Sequence, residues 1–78
     1  MPLYYFNLFN DDLTMDDEGA ELADDQAALA HGVKQARAMA ADTVLHGHLA
    51  RSHRIECVDA ARKLIGNIRF DEAVEIRP

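Results

Sequence analysis

A chain of 78 residues, 49% apolar and 28% charged, has the balance of one globular domain and excludes both a disordered polymer and a second domain. Fourteen Asp and Glu against eight Lys and Arg give a net charge of −6, which argues against phosphate backbones as partners and for solubility or a basic protein partner. A single cysteine excludes an internal disulfide and suits the cytosol.

The charge is unevenly spread. Residues 1–30 hold eight acids and no Lys or Arg, a net of −8, while the remaining six acids and eight bases give +2. The N-terminus has no basic n-region, and its apolar run is too short for a signal or a span, so the expectation is a cytoplasmic protein outside the membrane.

The run LYYFNLF, Leu3 to Phe9, reads as a first strand. Asn10, Asp11 and Asp12 supply a turn, because Asx side chains bond to their own backbone. The return strand is poorer. Leu13 to Met15 pairs briefly, Asp16 to Gly19 breaks or bulges it, and Ala20 to Leu22 resumes, which places it on an edge where charge discourages further pairing. Asp24 or Asp25 is the expected N-cap of a helix running to about Leu45, about 20 residues and roughly 30 Å. Leu29, Val33, Ala36, Ala40 and Val44 recur at spacings of three and four and form its apolar stripe. Ala36 and Ala40 are small enough to let the helix lie close on a sheet, and Gly47 suits its C-terminus.

After a polar connection from His48 to His53, Arg54 to Val58 alternates with Ile55 and Cys57 on one face. Asp59 to Arg62 is a hairpin loop. Lys63 to Phe70 follows as a strand with Leu64, Ile68 and Phe70 on the side of Gly66, and Asp71 to Pro78 is a helical turn or short strand. The sum is a single α+β domain over residues 1–78, ββαββ with a tail, with one long helix packed on one face of an antiparallel sheet.

Met1, Pro2 and Tyr4 to Phe6 at the start, the segment DDEGAEL from Asp16 to Leu22, and the closing stretch RIECVDAARKLIGNIRFDEAV together resemble the DUF6894 family, small bacterial proteins of unknown function. The resemblance covers almost the whole chain. It implies no activity, cofactor or catalytic residue. The chain differs from the family pattern in the last hairpin loop, where Ala60 and Ala61 stand in place of a glycine.

Little here proposes a reaction. The acidic run DDLTMDDEG lacks the alternation and glycine of a calcium loop, since counting from Asp12 the third position is Thr14 and the sixth Asp17. His46, His48 and His53 with Cys57 could gather around zinc, but without paired metal-ligand spacing they read as surface histidines near a helix end. His31 reads as a rim residue. Cys57 shares the apolar face of Ile55 and reads as a buried structural thiol. No nucleophile elbow, phosphate loop or zinc-protease motif occurs, so the expectation is a non-enzyme without a cofactor.

The first strand is apolar on both faces, and one helix shelters only one of them. The second face would carry Leu3, Tyr5, Phe9, Val58 and Ile65, covered either by the tail through Val74 and Ile76 or by a partner. The expectation is a small interaction module, acting as a homodimer or as the acidic partner of a small basic protein. The rival expectation is a sheet-based nucleic-acid binder using Arg51, Arg54, Arg62, Lys63 and Arg69, with Tyr4 or Tyr5 stacking on bases. The acidic N-terminal third works against it.

Overall fold

The computed structural model describes residues 1–10, 13–48 and 53–74. Its elements are β1 (Leu3–Phe9), β2 (Leu13–Thr14), β3 (Ala20–Glu21), α1 (Asp25–Leu45), β4 (Arg54–Asp59), β5 (Leu64–Arg69) and α2 (Phe70–Ala73). They form a five-stranded antiparallel sheet with one long helix, the α+β architecture expected from the sequence.

β1 is the hinge of the topology. Along one side it pairs with β4 from Tyr4↔Asp59 to Phe9↔Arg54, and along the other it pairs with β2 at its end and β3 at its start. The return strand is therefore split in two, and the expected turn residues Asp11 and Asp12 lie outside the described residues. β5 forms the far edge, paired with β4. Leu22 adds one more backbone bond to Pro2 at 3.0 Å beyond β3.

Asp24 is the N-cap of α1 and accepts from the Ala27 N–H at 2.8 Å, while Asp25 in the first turn suits the positive end of the dipole. At the other end, Gly47 has φ +94°, its N–H donates to Val44 and the His48 N–H donates to Thr43, the paired bonds of a Schellman motif.

The side of α1 that meets the sheet is narrower than the expected stripe. Ala28, Gly32, Ala36 and Ala40 are buried at a spacing of four, Leu29, Val33 and Met39 flank them, and Val44 is 56% exposed. The helix has 21 residues, roughly 31 Å at 1.5 Å each, whereas a six-residue strand spans roughly 20 Å, so the last turn runs past the sheet. Gly32 marks the closest approach, for a Cβ there would lie 2.5 Å from Cδ1 of Ile68. α1 lies over β4 and β5 more than over β1, with Tyr4 and Phe6 reaching in from β1 toward the shared core of Ile55, Cys57 and Ile68.

Three sequence expectations are corrected at the last hairpin. A β-bulge falls between Cys57 and Val58, so Cys57 pairs with Gly66 but Val58 pairs with Leu64. Leu64 therefore leaves the side of Gly66 and is 50% exposed, and Ile65, expected beside Val58, packs against the helix-side core. Phe70 does not continue the strand. It opens α2, is 2% exposed, and with Ala73 packs on the α1 side, where the Arg37 Nε–H donates to the Ala73 carbonyl at 2.6 Å. The described part of the tail thus packs on the helix side of the sheet, while Ile76 and the end of the tail lie outside the described residues.

The contact at Gly32 gives a sharp test. Alanine there gains about 1 kcal/mol of helix propensity but overpacks a buried isoleucine, at a cost of about 1–3 kcal/mol. Gly32→Ala is expected to lower stability by about 1 kcal/mol in urea unfolding, and adding Ile68→Val, which removes the clashing methyl, to restore most of the loss.

Candidate interaction surface

On the face of the sheet away from α1, the register sets cross-strand rows. Tyr5, Val58 and Leu64 form one, Asn7, Glu56 and Asn67 the next, and Phe9, Arg54 and Arg69 a third. A polar row therefore crosses the middle of a surface that was expected to be apolar. The first strand could not reveal this alone, because Glu56 and Asn67 come from two other strands.

The aromatic rings of that face already have covers. The Arg62 guanidinium lies 4.1 Å from the Tyr5 ring centre, and Arg54 lies 4.2 Å from that of Phe9. Val58 is only 5% exposed within the single chain, and Leu3, Tyr5 and Phe9 are half-buried. Arg54 and Arg69 face each other directly across β4 and β5, a like-charge pair that would repel. Arg54 turns onto Phe9, and Arg69 turns to Asp71 through two bonds of 3.0 and 2.6 Å. Arg51 lies outside the described residues.

Arg62 reaches Tyr5 because of the loop that carries it. Asp59 Oδ1 accepts from the Ala61 and Lys63 N–H groups, the Arg62 N–H donates to the Asp59 carbonyl, and Arg62 takes φ +66°. This is a type I turn followed by a left-handed residue, a position that usually favours glycine. The glycine expected from the family pattern at Ala60 or Ala61 is not needed there, since the left-handed position is Arg62. Arg62→Gly removes the backbone strain and the ring contact together, so its stability is expected within about 0.5 kcal/mol of the parent. Arg62→Ala keeps the strain and loses the contact, and is expected to cost about 1 kcal/mol by thermal unfolding.

The split in the return strand is organised by one carboxylate. Asp16 Oδ2 accepts from the Phe6 N–H at 3.1 Å, and its Oδ1 accepts from Glu18 and Gly19 at 3.2 and 3.0 Å. The Asp16 N–H in turn donates to Asn7 Oδ1 at 3.0 Å, and Asn7 is 2% exposed. Side chains thus supply the ladder bonds that β1 lacks between β2 and β3. Burial works against the Asp16 charge, but the N–H groups of Gly19, Phe6 and Glu18, with the positive Arg62, outweigh it and hold the carboxyl below the usual range. A lowered native value means that the stabilisation is complete above the unfolded value of about 3.9 and is lost as pH falls through the native value. Asp16→Ala is expected to cost about 2 kcal/mol near neutral pH, and Asp16→Asn to flatten the acid limb of a plot of stability against pH.

On the α1 side the sheet is only partly roofed. Tyr4 and Phe6 of β1 are buried beneath α1, but the end of the strand at Leu8 is only half-covered, and two cavities of about 470 and 300 Å³ adjoin there across Leu8 and Met39. The larger is lined by Leu8, Phe70, His48 and His53, and the smaller by Phe6, Met15 and Ile55. Gln35, Ala38, Met39, Asp42 and Thr43 line them from one face of α1, at i, i+3, i+4, i+7 and i+8. Asp16, Asp17 and Glu18 flank one end and Asp42 the other, and no described lining residue is Lys or Arg.

Of the chemical candidates only His48 and His53 share a cavity among the described residues. Cys57 is fully buried, and burial, with Asp25 and Asp59 adding negative charge, pushes its thiol up to about 11, as befits a structural thiol. Tyr4 donates its O–H to Asp25 at 2.6 Å; that bond, then burial, pushes the phenol up to about 12. His46 and His48 are exposed at the end of α1, whereas His53 is buried with its ring edge-on to Phe70 at 5.8 Å. Among the described residues no three His, Cys, Asp or Glu are grouped to hold a metal ion. His31 is half-buried against the Phe6 ring at 4.9 Å. Among the described residues no helix is long and apolar enough to cross a membrane.

The model of the domain of unknown function DUF6894 matches residues 3–71, nearly the whole described fold. The chain belongs to the DUF6894 family. No curated protein and no solved structure matches it. The DUF6894 match spans both the arginine-covered face and the open groove, from β1 to the second residue of α2.

Proposed function

We propose that this DUF6894 chain is a non-enzymatic protein–protein interaction module and acts as the acidic member of a complex with a basic protein. The observation that carries this reading is the pair of adjoining cavities along α1, the smaller bordered by Asp16, Asp17 and Glu18 beside β2 and the larger by Asp42 with His48 and His53. Apolar surface left uncovered in a small domain is where association releases most water, and carboxylates around it select and steer a cationic partner.

The two other readings have less open surface to work with. A twofold homodimer through Leu3, Tyr5, Phe9, Val58 and Ile65 would bury a face on which Val58 is already covered, two aromatics carry arginine lids and Glu56 stands in the middle row. Ile65 would contribute nothing to it from the helix side. A nucleic-acid role needs arginines and aromatic rings available to phosphates and bases, whereas Arg54 and Arg62 lie on those rings and Arg69 is held by Asp71.

Site-specific photo-crosslinking in cells tests the choice. A crosslinker in place of Met15, beside the groove, is expected to give adducts with another protein, and one in place of Leu64, on the opposite face, is expected to give none. A Leu64 adduct of twice the chain mass restores the homodimer. Oligonucleotide binding that falls on changing Arg54 and Arg69 to Glu restores the nucleic-acid reading.

A further inference from the structure

We infer that the groove between α1 and the β1–β2 hairpin receives a basic amphipathic helix of the partner, laid alongside α1. The inference rests on the interaction role proposed above and gives the partner a chemistry. The α1 face from Gln35 to Thr43 spans nine residues, roughly 12 Å from first to last, the length of about two helical turns. An apolar side chain on each turn of an incoming helix would find one cavity apiece, on either side of the Leu8 and Met39 divide.

The lining is suited to such a guest. Met15 and Met39 are unbranched and polarizable, able to reshape around side chains that enter from a helix, and Met15 is 57% exposed in the single chain. Asp17, Glu18 and Asp42 are exposed at the two ends, and the Asp42 carboxylate lies 3.9 Å from His46 Nδ1, which sits closer, at 2.8 Å, to the Asp42 carbonyl. Asp17 and Glu18 at one end and Asp42 at the other, with no described Lys or Arg in the lining and with His48 and His53 as the larger cavity's basic side chains, match a helix whose apolar stripe is bordered by Lys and Arg, most closely at the Asp17 end. The same charges would repel an acidic helix, and a second copy of this chain offers no equivalent: α1 carries Lys34 and Arg37 alone as bases, and Arg37 is bonded to α2.

The probe is a synthetic Leu/Lys peptide with leucines at i, i+3, i+4 and i+7, titrated into protein labelled at its methionine methyls. The methyls of Met15 and Met39 are expected to shift saturably, with Met1, 78% exposed and remote from both cavities, as the unmoved control. Asp17→Lys with Glu18→Lys, both at exposed positions that leave Asp16 intact, is expected to weaken binding about tenfold. The inference is overturned if Met15 and Met39 do not respond, if a Leu/Glu peptide binds equally well, or if the shifts follow protein concentration without peptide, which identifies a second copy as the occupant. Crosslinks from Met15 in cells alongside a silent peptide titration would leave the interaction role standing and remove the basic helix.

Discussion

The structure depends on how closely α1 can sit on β4 and β5. Ala28, Gly32, Ala36 and Ala40 present almost no side chain, so the helix descends until Gly32 meets the end of Ile68, and Gly66 on β5 makes room for Leu29 in the same way. In a domain of 78 residues, where little surface can be buried, such close packing raises dispersion contact per residue. It also fixes the helix off-centre. A bulkier stripe would have lifted α1 and allowed it to slide over β1, roofing the sheet evenly. The seat over β4 and β5, with α2 beside it, leaves the Leu8 end of β1 and the short β2 less covered than the rest of the sheet.

That displacement explains the contrast between the two faces. The face away from α1 has no helix to shelter it, and the chain covers it with its own long cations. Arginine stems lie along apolar surface and keep the charge in water, so two arginines turn exposed rings into a face compatible with solvent. On the α1 side the gap is bordered by acids, which cannot cover apolar atoms in this way because their stems are short. The gap stays open for that reason, and three acids of the N-terminal third, Asp16, Asp17 and Glu18, border it, while Asp24 and Asp25 serve the start of α1.

Much of the fold was legible in the residues. The two-part return strand followed from Asp16 to Gly19, the helix limits from Asp24 and Gly47, and the alternation of Ile55 with Cys57 from strand geometry. What escaped was set between elements. The bulge that moved Leu64 and Ile65 depends on how the turn at Arg62 feeds the register of β4 and β5, and no period-two pattern records an inserted residue. Val44 fits the helical period yet lies beyond the end of the sheet, a mismatch of lengths between two elements. Phe70 continues the alternation of β5 but is captured by the core beneath α1, because its backbone N–H reaches the His53 carbonyl at 2.9 Å while Asp71 and Glu72 start a helical turn.

The candidate surface was the least legible part, for a related reason. Strand alternation places Leu3, Tyr5, Phe9, Val58 and Ile65 one strand at a time, whereas the surface itself is a property of three strands and a loop. Glu56 neutralises the apolar character of its neighbours only because the register brings it between Asn7 and Asn67, and Tyr5 loses its open ring only because Arg62 adopts a left-handed turn. The groove could not be read from periodicity at all. Gln35, Ala38, Met39, Asp42 and Thr43 form a mixed face that a hydrophobic pattern assigns to solvent, and it becomes a wall only because the sheet extends beneath it on the side that α1 leaves less covered. The apolar atoms of that mixed face are too few to demand burial within the chain, so Met39 is left half-buried beside Leu8 and no element of the described chain is drawn over it.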